Sequence, residues 1–152
     1  MNNRSVRNYG ILALIIILAD RLSKDWALKL TGEKIINPFL SFDLTFNRGI
    51  NWGFFNSTNP ALFFFINIAI AIVIIGLVGY TYFCWKLKQP ITGHVLILAG
   101  AVSNYFDRII YGGVIDFIVL SWTHWTWPAF NIADAAICIG IGLIALHIYR
   151  EK

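Results

Sequence analysis

The sequence predicts an all-α membrane protein with four transmembrane helices, and two observations carry that prediction. Of 152 residues, 58% are hydrophobic and only 13% are charged, with a mean hydropathy of +0.67. An average soluble domain carries about twice that share of charge, and a soluble chain of this length could not hide long apolar runs from water. The second observation is the presence of four such runs, each near the roughly 20 residues that a helix needs to cross a bilayer.

The first run covers about 9–30. Its apolar part, YGILALIIILA, gives way to DRLSKDWALKL. Arg4 and Arg7 ahead of a short apolar stretch also resemble a cleavable signal peptide, but Ile17 spoils the small-residue pattern that a cleavage site around Ala19 requires. A spanning helix accounts for the polar half too, because i,i+4 spacing puts Asp20 and Lys24 on one face and Arg21 and Asp25 on another. The second run, about 60–85, carries no charge. The third covers about 91–110 and the fourth about 128–149, which leaves three loops and one membrane domain over 1–152.

Orientation follows from the cations. Arg4, Arg7, Lys86, Lys88, Arg150 and Lys152 fall on one side of a four-helix chain, accompanied only by Glu151. That side is expected to be cytoplasmic, with both termini. The net charge of +4 therefore reads as topology and not as a nucleic-acid surface. Cys84 and Cys138 have neither metal-site nor disulfide spacing and are expected to be packing residues. Nothing in the spans demands a second subunit, so a monomer is expected.

On the opposite, outer side, the segment NYFDRIIYGGVIDF at 104–117 packs Asn104, Asp107, Arg108 and Asp116 into a short reach. Asp134 follows WPAFNIA, about one turn into the fourth run. Ionisable groups at membrane depth are costly and face polar interiors, which makes function the default reading. Asp107 and Arg108 also suit an interfacial ion pair with other helix-end charges. Asn131 suits a cap or an interhelical hydrogen bond. Asp134 has no cation beside it in sequence, and Asp116, between GGVI and FIVL, does not read as a solvated loop charge.

Two carboxylates at one site do not titrate independently; they hold a shared proton towards neutral pH. One member then takes a proton from water while the other donates to a carbonyl or leaving group. No rival nucleophile is visible: there is no G-x-S-x-G elbow and no histidine with metal-ligand spacing. His94 and His147 lie towards the cytoplasmic side, and His124, in SWTHWTW, reads as an interfacial residue among tryptophans. No metal and no cofactor is expected.

At these residues the chain resembles the lipoprotein signal peptidases, the bacterial type II signal peptidases. The resemblance rests on Asp20 with Lys24, FNRG at 46–49, GAVSNYFDR at 100–108, GGVIDF at 112–117 and FNIAD at 130–134. It implies that Asp116 and Asp134 are the catalytic pair. Asp20, Lys24, Asn47, Gly49, Asn104, Asp107, Arg108 and Asn131 would be the surrounding support. It also implies an aspartic endopeptidase of the bacterial inner membrane that meets its substrates, diacylglyceryl-modified prolipoproteins, among the membrane lipids. Such an enzyme removes their signal peptides at the outer face, cutting before the lipidated cysteine. A small extracytoplasmic β-sheet in the first loop is implied as well, and KIINPFLSFDLTFN has the β-branched and aromatic content to form it. Trp122, Trp125 and Trp127 would seat the third loop at the headgroups.

One departure from the family pattern stands at Ile50, Asn51 and Trp52, where small residues and a phenylalanine are common. It bears on substrate preference more than on chemistry. Two other readings remain open on sequence alone: a divergent relative with an altered substrate or a lipopeptide-binding role, and a small proton-linked transporter. A transporter predicts carboxylates spread across membrane depth, whereas here they gather at one end.

Overall fold

The computed structural model describes residues 3–49, 60–123 and 125–151. Ile50, Asn51, Trp52 and His124 lie outside the described residues. Among the described residues there are four helices: α1 (Asn3–Ala27), α2 (Pro60–Lys86), α3 (Thr92–Tyr111) and α4 (Ile132–Arg150). The helices follow the four apolar runs, shifted by a few residues at each end. α2 and α4 are each long and apolar enough to cross a membrane, and only 11% and 17% of their most apolar windows are buried within the protein. Phe65, Val73 and Ile75 of α2 are about two-thirds exposed, so hydrocarbon is the solvent that suits this surface. α1 and α3 are less apolar because Asp20, Arg21, Lys24, Asp107 and Arg108 interrupt them, and these residues turn inward.

α3 and α4 pack backbone to backbone. A Cβ on Gly93 would meet the carbonyl oxygen of Gly140 at 2.6 Å, and a Cβ on Gly140 would meet that of Gly93 at 2.6 Å. Small residues allow this approach between apolar helices, where burial from water supplies no drive and close packing must. At the far end α2 closes on Lys88, which adopts a left-handed φ of 60°. The Lys88 and Gln89 N–H groups then satisfy the carbonyls of Trp85 and Cys84 at 3.0 Å. Cys84 packs there with Ile91 and Val95, as expected for a core cysteine.

The sheet is larger than the sequence suggested. The first loop forms β1 (Lys34–Asn37) and β2 (Leu40–Asn47), as expected. The third loop, however, adds β3 (Val114–Trp122) and β4 (Trp125–Thr126), giving one antiparallel order β1-β2-β3-β4. Gly112 makes the switch from helix to strand, with a φ of 67° that L side chains rarely adopt. β3 then pairs with β2 so that Asp116 lies opposite Thr45 and Val114 opposite Asn47. The C-terminal end of α1 is tied to this sheet through Trp26, whose ring meets Phe42 at 5.1 Å and Phe117 at 6.1 Å, both edge-on. Trp122 and Trp125 stand exposed on the sheet, available for a headgroup layer.

Candidate active site

The two aspartates reach the site from different elements. Asp116 is carried by β3 and is 2% exposed. Asp134 sits in the first turn of α4, locked by a capping box. The Asn131 side chain accepts from the Asp134 N–H at 2.9 Å, and the Asp134 carboxylate accepts from the Asn131 N–H at 3.2 Å. Asn131 also joins the pair: its Nδ2 donates to Asp116 Oδ1 at 2.7 Å. A single fully buried asparagine thus touches both carboxylates.

Each carboxylate has a second amide donor. Asn47, at the end of β2, donates to Asp116 Oδ2 at 3.1 Å while its own oxygen accepts from the Gly49 N–H at 3.1 Å. Asn104 of α3 donates to Asp134 Oδ1 at 2.8 Å. Burial pushes the Asp116 carboxyl up to about 7, and the neighbouring Asp134 charge adds to the shift; the Asn47 and Asn131 hydrogen bonds partly oppose it. A carboxylic acid that keeps its proton close to neutral pH is what a shared-proton pair requires.

Behind the pair lies a buried ionic cluster. Lys24 bridges Asp20 and Asp107, at 2.7 Å to each, and donates to Asn104 Oδ1 at 2.8 Å. Asp20, Lys24 and Asp107 are all fully buried. Such a cluster is tolerable only if its charges are paired and hydrogen-bonded, and its contacts do both. Asp20 accepts from the Ala133 N–H at 2.9 Å and from Ser103 Oγ at 2.7 Å. Asp107 accepts from the Ile115 N–H at 3.3 Å, which fixes the start of β3. Arg21 supplies the second cation, 2.7 Å from Asp107 and 3.2 Å from Asp20. Two anions and two cations leave the cluster formally neutral.

Arg108 plays another part. Its guanidinium donates to the carbonyls of Arg48 and Gly49, gripping the turn that leaves β2. Gly113 makes this fit possible, since a Cβ there would lie 3.3 Å from both the Asn47 carbonyl oxygen and Arg48 Cγ. The dyad opens into a cleft of about 220 Å³ bordered by Asn47, Ile70, Ala101, Asn104, Tyr105, Arg108, Val114, Ile137 and Cys138.

All ten residues singled out in the sequence therefore meet around one site. Arg21, placed by its spacing on a face with Asp25, turns inward to Asp107 and Asp20, where low polarity makes an ion pair stronger than at the exposed Asp25. One expectation needs correction. Cys138 is not a core residue: it is exposed and borders the cleft one turn beyond Asp134. Ser103 and Arg21 belong to the site and were not singled out for it. The signal for Ser103 was a lone hydroxyl beside Asn104 and four residues before Asp107, in an otherwise apolar stretch.

Comparison with known proteins places the chain in a family. A family model described as signal peptidase (SPase) II matches residues 12–150. The lipoprotein signal peptidase of Polynucleobacter necessarius subsp. necessarius (strain STIR1) is 36% identical over 154 residues, covering 95% of this chain and 90% of that protein. That of Thermodesulfovibrio yellowstonii (strain ATCC 51303 / DSM 11347 / YP87) is 42% identical over 145 residues, covering 93% and 92%. Among solved structures, a bacterial membrane enzyme determined by the in meso method at 1.9 Å resolution superposes with a TM-score of 0.76 at 30% identity, covering 97% of this chain and 96% of that one.

Proposed function

The chain belongs to the signal peptidase II family, and from that premise we propose that Asp116 and Asp134 are the dyad with which it cleaves its substrates. It is an aspartic endopeptidase that removes signal peptides from prolipoproteins. The cut falls before the diacylglyceryl-modified cysteine, and the reaction needs no metal or cofactor. The observation that carries the dyad assignment is the bridge of Asn131 to both carboxylates, together with an Asp116 carboxyl raised to about 7.

In the reaction, one carboxylate takes a proton from water as the water oxygen attacks the scissile carbonyl carbon, and the other carboxyl gives its proton to the carbonyl oxygen. The tetrahedral diol then collapses. The C–N bond breaks as its nitrogen receives the first proton, and a diol hydroxyl returns the second, so both carboxyls end as they began. Arg108 with its positive charge and a dyad holding one proton sum to zero, which suits a site with little water to screen charge.

All four helices span the membrane as one domain. In α1 and α3 the charges that lower hydropathy are the ones paired inside the protein, so they cost little against lipid. The dyad lies at the outer face of the bacterial inner membrane, both termini lie in the cytoplasm, and the sheet rests on the surface through Trp122, Trp125 and Trp127. The enzyme acts as a monomer on lipid-borne substrates and has no nucleic-acid partner. The experiment is cleavage by the purified protein of a diacylglyceryl-modified prolipoprotein beside the unmodified precursor. Cleavage of the first alone, unchanged by a chelator, is expected; metal-dependent cleavage, or equal cleavage of both, would overturn the reading.

A further inference from the structure

The dyad has two amide donors on each carboxylate but differs in what stands behind those donors. Asp116 receives two neutral side-chain amides, from Asn47 and Asn131. Asp134 receives the Asn104 amide and the backbone N–H of Asn131, and sits in the first turn of α4, where the helix dipole favours an anion. The Asn104 amide is itself held by a cation. Lys24 Nζ donates to Asn104 Oδ1 at 2.8 Å, and Asn131 Nδ2 donates to the same oxygen at 3.1 Å. With two donors on its oxygen, Asn104 can present only its NH₂ to Asp134, and the ammonium polarises that amide into a stronger donor.

We infer that Lys24 is a positioning residue acting through Asn104, and that it makes Asp134 the ionised member and Asp116 the protonated member of the resting dyad. The inference rests on reading Asp116 and Asp134 as the catalytic pair. The water proton accordingly goes to Asp134, and the proton for the scissile carbonyl oxygen comes from Asp116. On collapse Asp134 protonates the departing nitrogen, and Asp116 regains its proton from the diol. The other charges facing this path are Asp20 and Arg21 from α1 and Asp107 and Arg108 from α3. Asp20, Arg21 and Asp107 are bound up in ion pairs with one another and with Lys24. Arg108 faces both carboxylates but spends its hydrogen bonds on the Arg48 and Gly49 carbonyls. The Lys24 charge is felt by both carboxylates, but its hydrogen-bonded line runs through Asn104 to Asp134.

The test is the pH profile of kcat/KM on diacylglyceryl-modified prolipoprotein for wild type, Lys24→Met, Lys24→Arg and Asn104→Ala, with thermal unfolding of each. Loss of the Lys24 charge is expected to move the acid limb of the profile up by about one pH unit, and further than the alkaline limb. Lys24→Arg is expected to restore it. Asn104→Ala, which leaves the ionic cluster paired, is expected to give the same acid-limb shift, and carries the test alone if Lys24→Met does not fold. An unmoved acid limb in Asn104→Ala, or equal shifts of both limbs in Lys24→Met, would overturn the inference while leaving the dyad intact. The dyad itself fails by a different result, full activity of Asp116→Asn or Asp134→Asn.

Discussion

Asp20 and Ala133 are 113 positions apart, yet the Asp20 carboxylate accepts the Ala133 N–H at 2.9 Å. That bond joins the C-terminal half of α1 to the first turn of α4, one residue before Asp134. The same carboxylate pairs with Lys24, so the frame of the dyad and the charge behind it depend on one side chain.

Removing that side chain exposes its importance to the fold. Asp20→Ala leaves an α4 N–H and part of the Lys24 charge unpaired in the interior, a loss of about 3 kcal/mol or more. A lower unfolding temperature in detergent, with kcat/KM reduced at the same time, is the expected result. Unchanged stability would show that the cluster is not the brace described.

The α3–α4 contact should be intolerant of bulk. Gly93→Leu or Gly140→Leu places side-chain atoms where a backbone carbonyl already stands 2.6 Å from the Cβ position, and overpacking of this kind costs about 1–3 kcal/mol. Gly79→Ala on α2 is the control, since nothing lies within 4 Å of a Cβ there. Thermal unfolding of the three variants distinguishes the two situations.

The raised carboxyl of Asp116 fixes the sign of the pH dependence. Its value rises from 3.8 to about 7 on folding, so the folded protein binds this proton more tightly than the unfolded chain. Its contribution to stability is therefore complete below about 4 and is lost as pH rises through about 7. With Asp116 as the proposed proton donor, kcat/KM is expected to fall on the alkaline side with an apparent midpoint near 7. A rate that stays flat to pH 9 would contradict this.

Arg108 grips two carbonyls with one planar fork, and an ammonium cannot copy that geometry. Arg108→Lys keeps the charge but loses about one hydrogen bond, worth roughly tenfold in kcat/KM. Steady-state kinetics on wild type and variant measures it; an unchanged kcat/KM would mean that the grip on Arg48 and Gly49 does not serve catalysis.

Why the sequence singled out Asp116 and Asp134 and not the strand that carries the first of them is a matter of contrast. Asp116 and Asp134 stand out because a carboxylate in an apolar run is expensive. β3 does not, because Val114, Ile115, Asp116 and Phe117 are all buried and a strand covered on both faces has no two-residue alternation to read. Lys24 with Asp20 was legible as a local i,i+4 pair. Arg21 with Asp107 was not, since it crosses between helices. Ser103 went unnoticed for a similar reason: its role exists only once α1 and α3 are side by side.

Catalysis by Asp116 and Asp134 is tested most directly by cleavage of a diacylglyceryl-modified prolipoprotein by purified wild type, Asp116→Asn and Asp134→Asn, each verified as folded by thermal unfolding. The nearly isosteric amides cannot exchange the catalytic proton, so wild type should cut before the lipidated cysteine and both variants should be inactive. Full activity in either folded variant would contradict the assignment of Asp116 and Asp134 as the catalytic pair.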